Sequence, residues 1–207
     1  SHPLDNEHVT NGAFSDLYDQ NQLQIQELIL QFANTPQQRG TLGYKIGTLY
    51  NLMMDSVRLN KEGFNPIKAN LEKIKAIKDR KEYQRVTAEL DRKGESTMMY
   101  AWGVGADQRN AGNNIVAISQ AGLGLGTPEY YLNEDPQSKA VVGAYKTYLT
   151  KLFQLVGYDA ETAAKKVEAV MEIENRIAKV SYDQVKRRDI NANYHKLTYA
   201  ELIEQYP

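Results

Sequence analysis

The side chains best suited to bind a metal ion or to move a proton in this sequence are its three histidines, His2, His8 and His195. A catalytic zinc site needs three protein ligands of the His, Cys, Asp or Glu type and one open position for water. His2 and His8 lie in an N-terminal stretch without a periodic pattern, and the motif H-E-x-x-H is absent. We therefore predict no catalytic residue and no metal site here, with His195 as an ordinary loop histidine.

A glycine-rich run, Gly122-Leu123-Gly124-Leu125-Gly126, is the second candidate for chemistry, because glycine-rich loops can bind phosphate groups. A dinucleotide site requires the spacing G-x-G-x-x-G between a strand and a helix of a βαβ unit. Here the spacing is G-x-G-x-G, and no parallel α/β alternation surrounds it. We expect these glycines to permit a tight turn and close packing rather than nucleotide binding.

Paired carboxylates and serines are further side chains that could take part in catalysis. Glu172 with Glu174, and Glu129 with Asp135, are pairs of the kind that acid–base catalysis uses, but such pairs are common in a chain that is 25% charged. None of the serines has the G-x-S-x-G context of a nucleophile elbow. The chain has no cysteine, so disulfide and thiolate chemistry are excluded, and both a cytoplasmic and an envelope location stay open.

The charge balance bears on the class of partner. The chain carries 25 Lys and Arg against 26 Asp and Glu, a net charge of −1, which argues against nucleic acid as a partner. The richest basic stretch, residues 58–93, is interleaved with acidic residues and indicates a solvated helical surface. No apolar run reaches the roughly 20 residues of a membrane span. No signal peptide is visible, although Ser1-His2 is consistent with a lost native leader.

Most of the chain has apolar residues at the spacing of an α-helix, so helices must position the candidate residues. Apolar stripes at helical spacing run from Phe14 to Phe32, from Leu42 to Val57, from Ile67 to Ile77 and around Tyr83 to Leu90. We expect Thr35-Pro36 to start a helix as N-cap and first residue, and Gly63 to lie just past a helix end.

The pattern changes in the middle of the chain. Short apolar and aromatic segments at 98–105 and 114–118 flank a polar stretch, 106–113, which predicts a β-hairpin at about 98–119 with a loop between its strands.

Later helix starts are expected at four positions: Thr127-Pro128, Asp135-Pro136, Asp159 and the capping box Thr198-Tyr199-Ala200-Glu201. The fold class is therefore mainly α, a multi-helix domain with one small β-hairpin. Its boundaries are a loose N-terminus at 1–13 and a helical domain at 14–207. The last helix is barely two turns long at Pro207, and we expect that to be a cut end.

Several segments, in this order, resemble the N-terminal region of the neprilysin, endothelin-converting enzyme and bacterial oligopeptidase O family of zinc endopeptidases. They are Gly12–Leu17, Lys45–Tyr50 with Met54-Asp55, Val104–Asp107 with Asn114–Val116, Gly122–Leu125 with Tyr130-Tyr131-Leu132, and Arg187–Asp189 with Tyr194–Leu202. The resemblance covers nearly the whole chain. One departure is that an arginine, an aspartate and a second arginine of the family's early motif are replaced by Thr10, Ser15 and Tyr18. No substrate-binding role is carried over to these positions.

The resemblance implies that this chain is the helical cap of such a peptidase, truncated before the catalytic domain. In the family the cap closes a cavity that admits peptides, and the Zn2+ ligands lie in the later portion. The implied partners are thus the catalytic domain of the same polypeptide and the peptide substrates of the parent enzyme, with Zn2+ bound in the parent but not in this fragment. The implied location is the bacterial periplasm, cell envelope or exterior.

The family-motif residues become candidates for a structural role at the interface with the missing domain: Gly122, Leu123, Gly124, Leu125, Tyr130 and Tyr131. We expect part of this region to contribute to an exposed apolar patch. One alternative is a stand-alone helical interaction domain that has lost the catalytic half. A weaker one is an unrelated helical binding module.

Overall fold

A computed structural model describes residues 12–95 and 99–206. It contains ten helices and one hairpin in these ranges, which confirms a mainly α domain with one small β-hairpin. In chain order the elements are α1 (Ala13–Asn34), α2 (Leu42–Met54), α3 (Ser56–Glu62), α4 (Asn65–Lys75), α5 (Arg80–Arg92), β1 (Tyr100–Asp107), β2 (Asn110–Gln120), α6 (Glu129–Leu132), α7 (Pro136–Leu155), α8 (Ala160–Val180), α9 (Gln184–Arg187) and α10 (Tyr199–Gln205). His2, His8 and Thr10 lie outside the described residues. The chain divides into two compact units, Ser1–Pro66 and Ile67–Pro207.

The first unit is built on the close packing of α1 and α2. Gly43 and Gly47 are the buried residues of α2, and both lie against Phe32 of α1. A Cβ placed on Gly47 would lie 2.3 Å from the Phe32 carbonyl oxygen, well inside contact distance. Glycine at this position therefore lets the two backbones approach, whereas the large apolar side chains of α1 and α2 are mostly exposed.

The predicted helix start at Thr35-Pro36 is wrong. Thr35 ends α1 instead: its backbone N–H bonds the Gln31 carbonyl at 3.0 Å, and its hydroxyl donates to the same oxygen at 2.6 Å. A hydroxyl used in this way does not cap the following turn. The next helix begins after Thr41, whose hydroxyl accepts the Tyr44 N–H at 3.2 Å.

The long stripe from Leu42 to Val57 is two helices rather than one. Asp55 interrupts it, and its carboxylate accepts the Arg58 N–H at 2.9 Å as N-cap of α3. An aspartate competes for backbone N–H groups and so favours a helix start over a helix interior. Gly63 ends α3 with a positive φ of 54°, as predicted.

The second unit contains the hairpin. β1 and β2 pair antiparallel, with Trp102 opposite Ile118 and Val104 opposite Val116. The strands extend further than the sequence pattern predicts, because Asp107 and Asn110 pair and leave only residues 108–109 as the turn. Met98 lies outside the described residues, so the hairpin is described from Tyr100 to Gln120.

Capping chemistry accounts for the remaining helix starts. Asp135 caps α7 with proline in its first turn, Asp159 caps α8, and Thr198 with Glu201 forms the predicted capping box of α10. Thr127 makes no cap. Pro128 occupies that position before the four-residue α6, since it already has helical backbone angles. The short helix α9, capped by Asp183, is an element that the sequence pattern did not predict.

The buried apolar side chains of the second unit are few. Val86 and Leu90 are buried on α5, and four more are buried on α8: Ala163, Val167, Met171 and Ala178. The basic stretch predicted as a solvated surface is paired in part, with Glu89 bridging Lys73 of α4 and Lys93 at the end of α5. The run Gly122-Leu123-Gly124-Leu125-Gly126, which we name the Gly-Leu segment, lies against Glu174 and Ile177 of α8.

Candidate functional site at the Gly-Leu segment

Glu174 is a carboxylate on the buried stripe of α8. The buried residues of that helix recur at intervals of three and four, and Glu174 takes the place between Met171 and Ala178 where the pattern calls for an apolar side chain. Only 8% of its surface is exposed. A buried carboxylate is stable only when its oxygens are hydrogen-bonded, so its partners define the site.

Three donors from three different segments converge on this carboxylate. The Tyr131 hydroxyl of α6 donates to Oε2 at 2.7 Å, the Tyr145 hydroxyl of α7 donates to Oε1 at 3.0 Å, and the Gly124 N–H donates to Oε1 at 3.3 Å. The Tyr131 oxygen also accepts the Leu125 N–H at 2.9 Å. We name these residues, Gly124, Leu125, Tyr131, Tyr145 and Glu174, the Glu174 cluster.

Two glycines of the segment have steric reasons to be glycine. A Cβ on Gly124 would lie 1.9 Å from the Tyr145 hydroxyl oxygen, so a side chain there would displace the ring that donates to Glu174. Gly122 has a φ of +88°, and its Cβ would lie 2.9 Å from the Met99 Cα. The predicted close packing is thus confirmed at both positions, and the predicted tight turn is confirmed at Gly122.

The electrostatics of the Glu174 cluster favour neutral phenols beside one carboxylate. Burial, reinforced by the hydrogen bond to Glu174, raises the pKa of Tyr145 to about 12. The same two causes raise the pKa of Tyr131 above its ordinary value. The three donors to Glu174 connect α6, α7 and Gly124 to α8 through one carboxylate.

The predicted site residues fall into two environments. Gly124 is exposed, whereas Leu123, Leu125, Tyr130 and Tyr131 are half-buried. Tyr131 lines a cavity of about 410 Å3 between α6, α7 and α8, together with Lys146, Glu168 and Glu172. The structure brings Gly124, Leu125 and Tyr131 together through Glu174.

Tyr130 lies instead on a second cavity, of about 570 Å3, with Asn133, Asp135 and Asp183 among its polar lining residues. The Glu129–Asp135 pair also lines this cavity, where Asp135 is used as the cap of α7. The lining residues of both cavities include no histidine. The structure therefore separates the two adjacent tyrosines.

A second polar cluster fixes the hairpin to the segment before α10. Asp107, 1% exposed, accepts the Tyr194 hydroxyl at 2.8 Å, the Lys196 ammonium at 2.8 Å and the Arg109 N–H at 2.9 Å. The Arg109 guanidinium lies 4.4 Å from the centre of the Tyr194 ring. The Lys196 hydrogen bond, with those of Arg109 and Tyr194, holds the pKa of Asp107 well below its usual range.

Sequence reasoning missed the partners in both clusters. The signal for Glu174 was present, because a glutamate on the apolar stripe of a helix must find hydrogen-bond donors. No comparable signal joins Asp107 to Tyr194, which is 87 residues away in the chain. His195 lies between two residues of that cluster but is itself exposed.

The described part of the chain offers no ligand set for a metal ion. Within residues 12–95 and 99–206, no group of three or more Asp, Glu or His side chains is close enough to hold an ion. The donors at Glu174 are hydroxyl and amide protons, which suit a carboxylate and not a cation. In the same ranges no helix is long and apolar enough to cross a membrane.

Comparison with known proteins places the whole chain in one family. The sequence profile described as peptidase family M13 matches residues 1–207. Endothelin-converting enzyme 1 of Bos taurus is 28% identical over 208 residues, which cover 98% of this chain and 27% of that protein. Endothelin-converting enzyme-like 1 of Mus musculus is 23% identical over 219 residues, which cover 100% of this chain and 28% of that protein. The chain thus spans about a quarter of the length of these relatives.

Solved structures agree with the sequence comparison. The zinc metalloprotease Zmp1 of Mycobacterium tuberculosis, crystallised with an inhibitor, superposes with a TM-score of 0.83 and 29% identity, over 99% of this chain and 31% of that one. PepO of Lactobacillus rhamnosis shares the fold, with a TM-score of 0.68 and 19% identity over 89% of this chain and 29% of that one. Because the family profile matches the entire chain, the chain belongs to peptidase family M13, whose members are zinc metallopeptidases, and corresponds to its N-terminal domain.

Proposed function

We propose that this chain is the N-terminal helical part of a neprilysin-like zinc endopeptidase, that it caps the cavity in which peptides are hydrolysed, and that it does not cleave peptides by itself. The observation that carries the proposal is the family match over residues 1–207, combined with relatives in which this region is only 27% of the protein. The helical domain at 14–207 serves as the cap.

The chemistry of the described residues supports a non-catalytic role. Hydrolysis by a zinc peptidase requires a metal-bound water, and hence at least three protein ligands around the ion. The described residues offer no such cluster, and Glu174 and Asp107 are each satisfied by three donors. The Zn2+ ligands of the parent enzyme are accordingly proposed to lie in the part of the protein outside residues 1–207.

The Glu174 cluster gives the Gly-Leu segment a defined shape. Through it, α6, α7 and α8 hold Gly124 and Leu125 in one conformation. A segment fixed on helices presents its outer surface rigidly, which suits a contact with a second domain. The proposed interface residues are those of the family motif: Gly122, Leu123, Gly124, Leu125, Tyr130 and Tyr131.

The proposed location is the bacterial periplasm, the cell envelope or the exterior. The chain has no cysteine and so needs no particular redox compartment to fold. Fractionation of the native cells, with this region detected by antibody, tests the location. Recovery in the cytosol alone would contradict it.

The test of the function is to express the intact gene alongside the 207-residue chain and to measure three quantities on both. These are the mass, the bound zinc and the hydrolysis of a set of peptides before and after a chelator. We expect the intact product to be several times larger than this chain, to bind zinc and to lose hydrolysis with the chelator. Hydrolysis by the purified 207-residue chain, abolished by the chelator, would overturn the proposal.

The alternative is a stand-alone helical interaction domain that shares the ancestry of the cap. The large exposed apolar surface of α1 and α2 favours a role in contacts with other proteins. The downstream reading frame separates the two. A continuing frame that contains H-E-x-x-H supports the peptidase, and a stop codon after Pro207 supports the interaction domain.

A further inference from the structure

One face of the hairpin is apolar, and the described residues leave about half of it exposed. Because alternate residues of a strand point to the same side, five large side chains share this face: Tyr100, Trp102, Val104, Val116 and Ile118. Each leaves 47–67% of its surface exposed. We name these five residues the hairpin apolar face.

The opposite side of the same hairpin is very different. Apart from the half-buried Ile115, its residues are small and exposed: Ala101, Gly103, Gly105, Ala117 and Ser119. Nothing lies within 4 Å of a Cβ built on Gly103 or Gly105. The apolar side chains are thus concentrated on one face, which is the arrangement of a sheet that packs on something.

One polar group of the hairpin apolar face, the Trp102 indole N–H, has a hydrogen-bond partner within the chain. The Trp102 indole N–H donates to the Asp91 carboxylate at the end of α5. At one end of the face the Gln120 amide bonds the Tyr182 backbone at 2.8 and 2.9 Å, and at the other end Asn114 is exposed. The middle therefore offers apolar surface alone, with polar residues at its rim, as in the core of a protein interface.

A half-exposed face of this kind is unfavourable in water. A two-stranded hairpin is marginally stable by itself, and an exposed apolar sheet face promotes aggregation. Contiguous apolar patches of several hundred Å2 mark contact sites on folded proteins. The hairpin is nevertheless held at defined points, through Asp107 to Tyr194 and Lys196 and through Trp102 to Asp91.

We infer that the hairpin apolar face is the surface on which the part of the polypeptide outside this chain packs, and this inference rests on the proposed function. The relatives that contain this region are nearly four times its length, so ample chain is available to cover the face. A second copy fits less well, because a stable dimer buries about 20–30 residues on each partner, whereas this face consists of five residues. A tethered partner needs less area, since its effective concentration is high.

Single cysteines test the inference, because this chain contains none. Val104→Cys lies on the hairpin apolar face, and Ala117→Cys on the opposite face of the same hairpin is the matched control. Both are introduced into the intact gene product and into the 207-residue chain, and the rate of labelling by a thiol reagent is read at each site by mass spectrometry. Ile118→Cys and Ser119→Cys repeat the comparison on the two faces.

In the intact protein we expect residue 104 to be labelled at least about tenfold more slowly than residue 117, because a packed site must open before it reacts. In the 207-residue chain the two sites should react at similar rates. Equal rates at the two sites of the folded intact protein would overturn the inference. So would slow labelling of residue 104 in the 207-residue chain that depends on its concentration, since that result would indicate a second copy.

Peptide hydrolysis by the same intact preparations separates this inference from the proposed function. Zinc-dependent hydrolysis with equal labelling rates would reject the packing surface and keep the function. Slow labelling of residue 104 in a folded intact protein without hydrolysis would reject the function and keep the packing surface. Circular dichroism of each variant, compared with its parent, confirms that the labelled species is folded.

Discussion

The carboxylate of Glu174 on α8 accepts a hydrogen bond from the Tyr131 hydroxyl on α6 at 2.7 Å, across 43 residues of sequence. The same Tyr131 oxygen accepts the Leu125 N–H at 2.9 Å. One tyrosine thus connects a buried carboxylate to the backbone of the Gly-Leu segment. The conformation of the Gly-Leu segment therefore depends on Glu174, which lies outside the family motif.

Replacing Glu174 by Gln should lower the free energy of unfolding by about 1–3 kcal/mol, because an amide NH2 in place of one carboxylate oxygen leaves donors without an acceptor in a buried site. These are the Tyr131 hydroxyl if Oε2 is replaced, or the Tyr145 hydroxyl and the Gly124 N–H if Oε1 is replaced. Urea denaturation followed by circular dichroism measures the change. Glu172→Gln, an exposed position on the same helix, is the control and should be nearly neutral. Equal effects of the two substitutions would show that the Glu174 hydrogen bonds add nothing.

Alkaline pH should destabilise the protein through Tyr145. Its pKa is raised to about 12 in the folded state against about 10 when unfolded, so the folded protein favours the neutral phenol. This contribution is complete below pH ~10 and is lost as the pH rises from ~10 towards ~12. We expect Tyr145→Phe to weaken the fall in unfolding free energy over this range, measured by urea titrations at a series of pH values. An unchanged pH profile in the variant would contradict the assignment.

Gly124→Ala should destabilise the protein by about 1–3 kcal/mol, because the new methyl group would overlap the Tyr145 hydroxyl oxygen, 1.9 Å away. Combining it with Tyr145→Phe removes that oxygen and should recover part of the loss. Thermal unfolding of the single and double variants gives the coupling. Gly143→Ala, with nothing within 4 Å of its Cβ in α7, should be neutral or slightly stabilising. A Gly124→Ala protein as stable as the parent would disprove the close packing.

Asp107→Asn should loosen the segment before α10, since the Lys196 ammonium would lose its charged partner. Hydrogen exchange at residues 194–197 should become severalfold faster, while Glu204→Gln on exposed α10 leaves it unchanged. Because the folded pKa of Asp107 is depressed, its contribution is present above pH ~4 and is lost as the pH falls below that value. The variant should therefore lose less stability on acidification than the parent. Unchanged exchange in Asp107→Asn would refute the anchoring role.

Gly47→Ala should separate α1 from α2, because a Cβ there would lie 2.3 Å from a backbone oxygen that cannot rotate away. The expected loss is about 1–3 kcal/mol, read as faster proteolysis within residues 12–62. Thr48→Ala, the exposed neighbour on the same helix, controls for changes in helix propensity. Equal proteolysis of both variants would contradict the contact.

The sequence predicted helix starts and ends correctly where all the interacting groups lie within one short segment. The capping box at Thr198, the proline start of α7 after Asp135 and the positive φ of Gly63 each need partners only within about one turn. Two short apolar and aromatic segments on either side of a polar stretch also predicted the hairpin. The predicted helix start at Thr35 was wrong because a threonine hydroxyl can bond either the turn before it or the turn after it. In the structure it donates to the Gln31 carbonyl in the preceding turn.

The sequence by itself therefore determined the mainly helical class, most helix boundaries, the hairpin and, through ordered motifs, the peptidase family. Only the tertiary structure decided that Glu174 joins Tyr131, Tyr145 and Gly124, and that Asp107 joins Tyr194 and Lys196. Periodicity reports which face of an element is buried, and capping reports where it ends. Neither reports which elements meet, because that depends on packing between residues that are tens of positions apart in the chain.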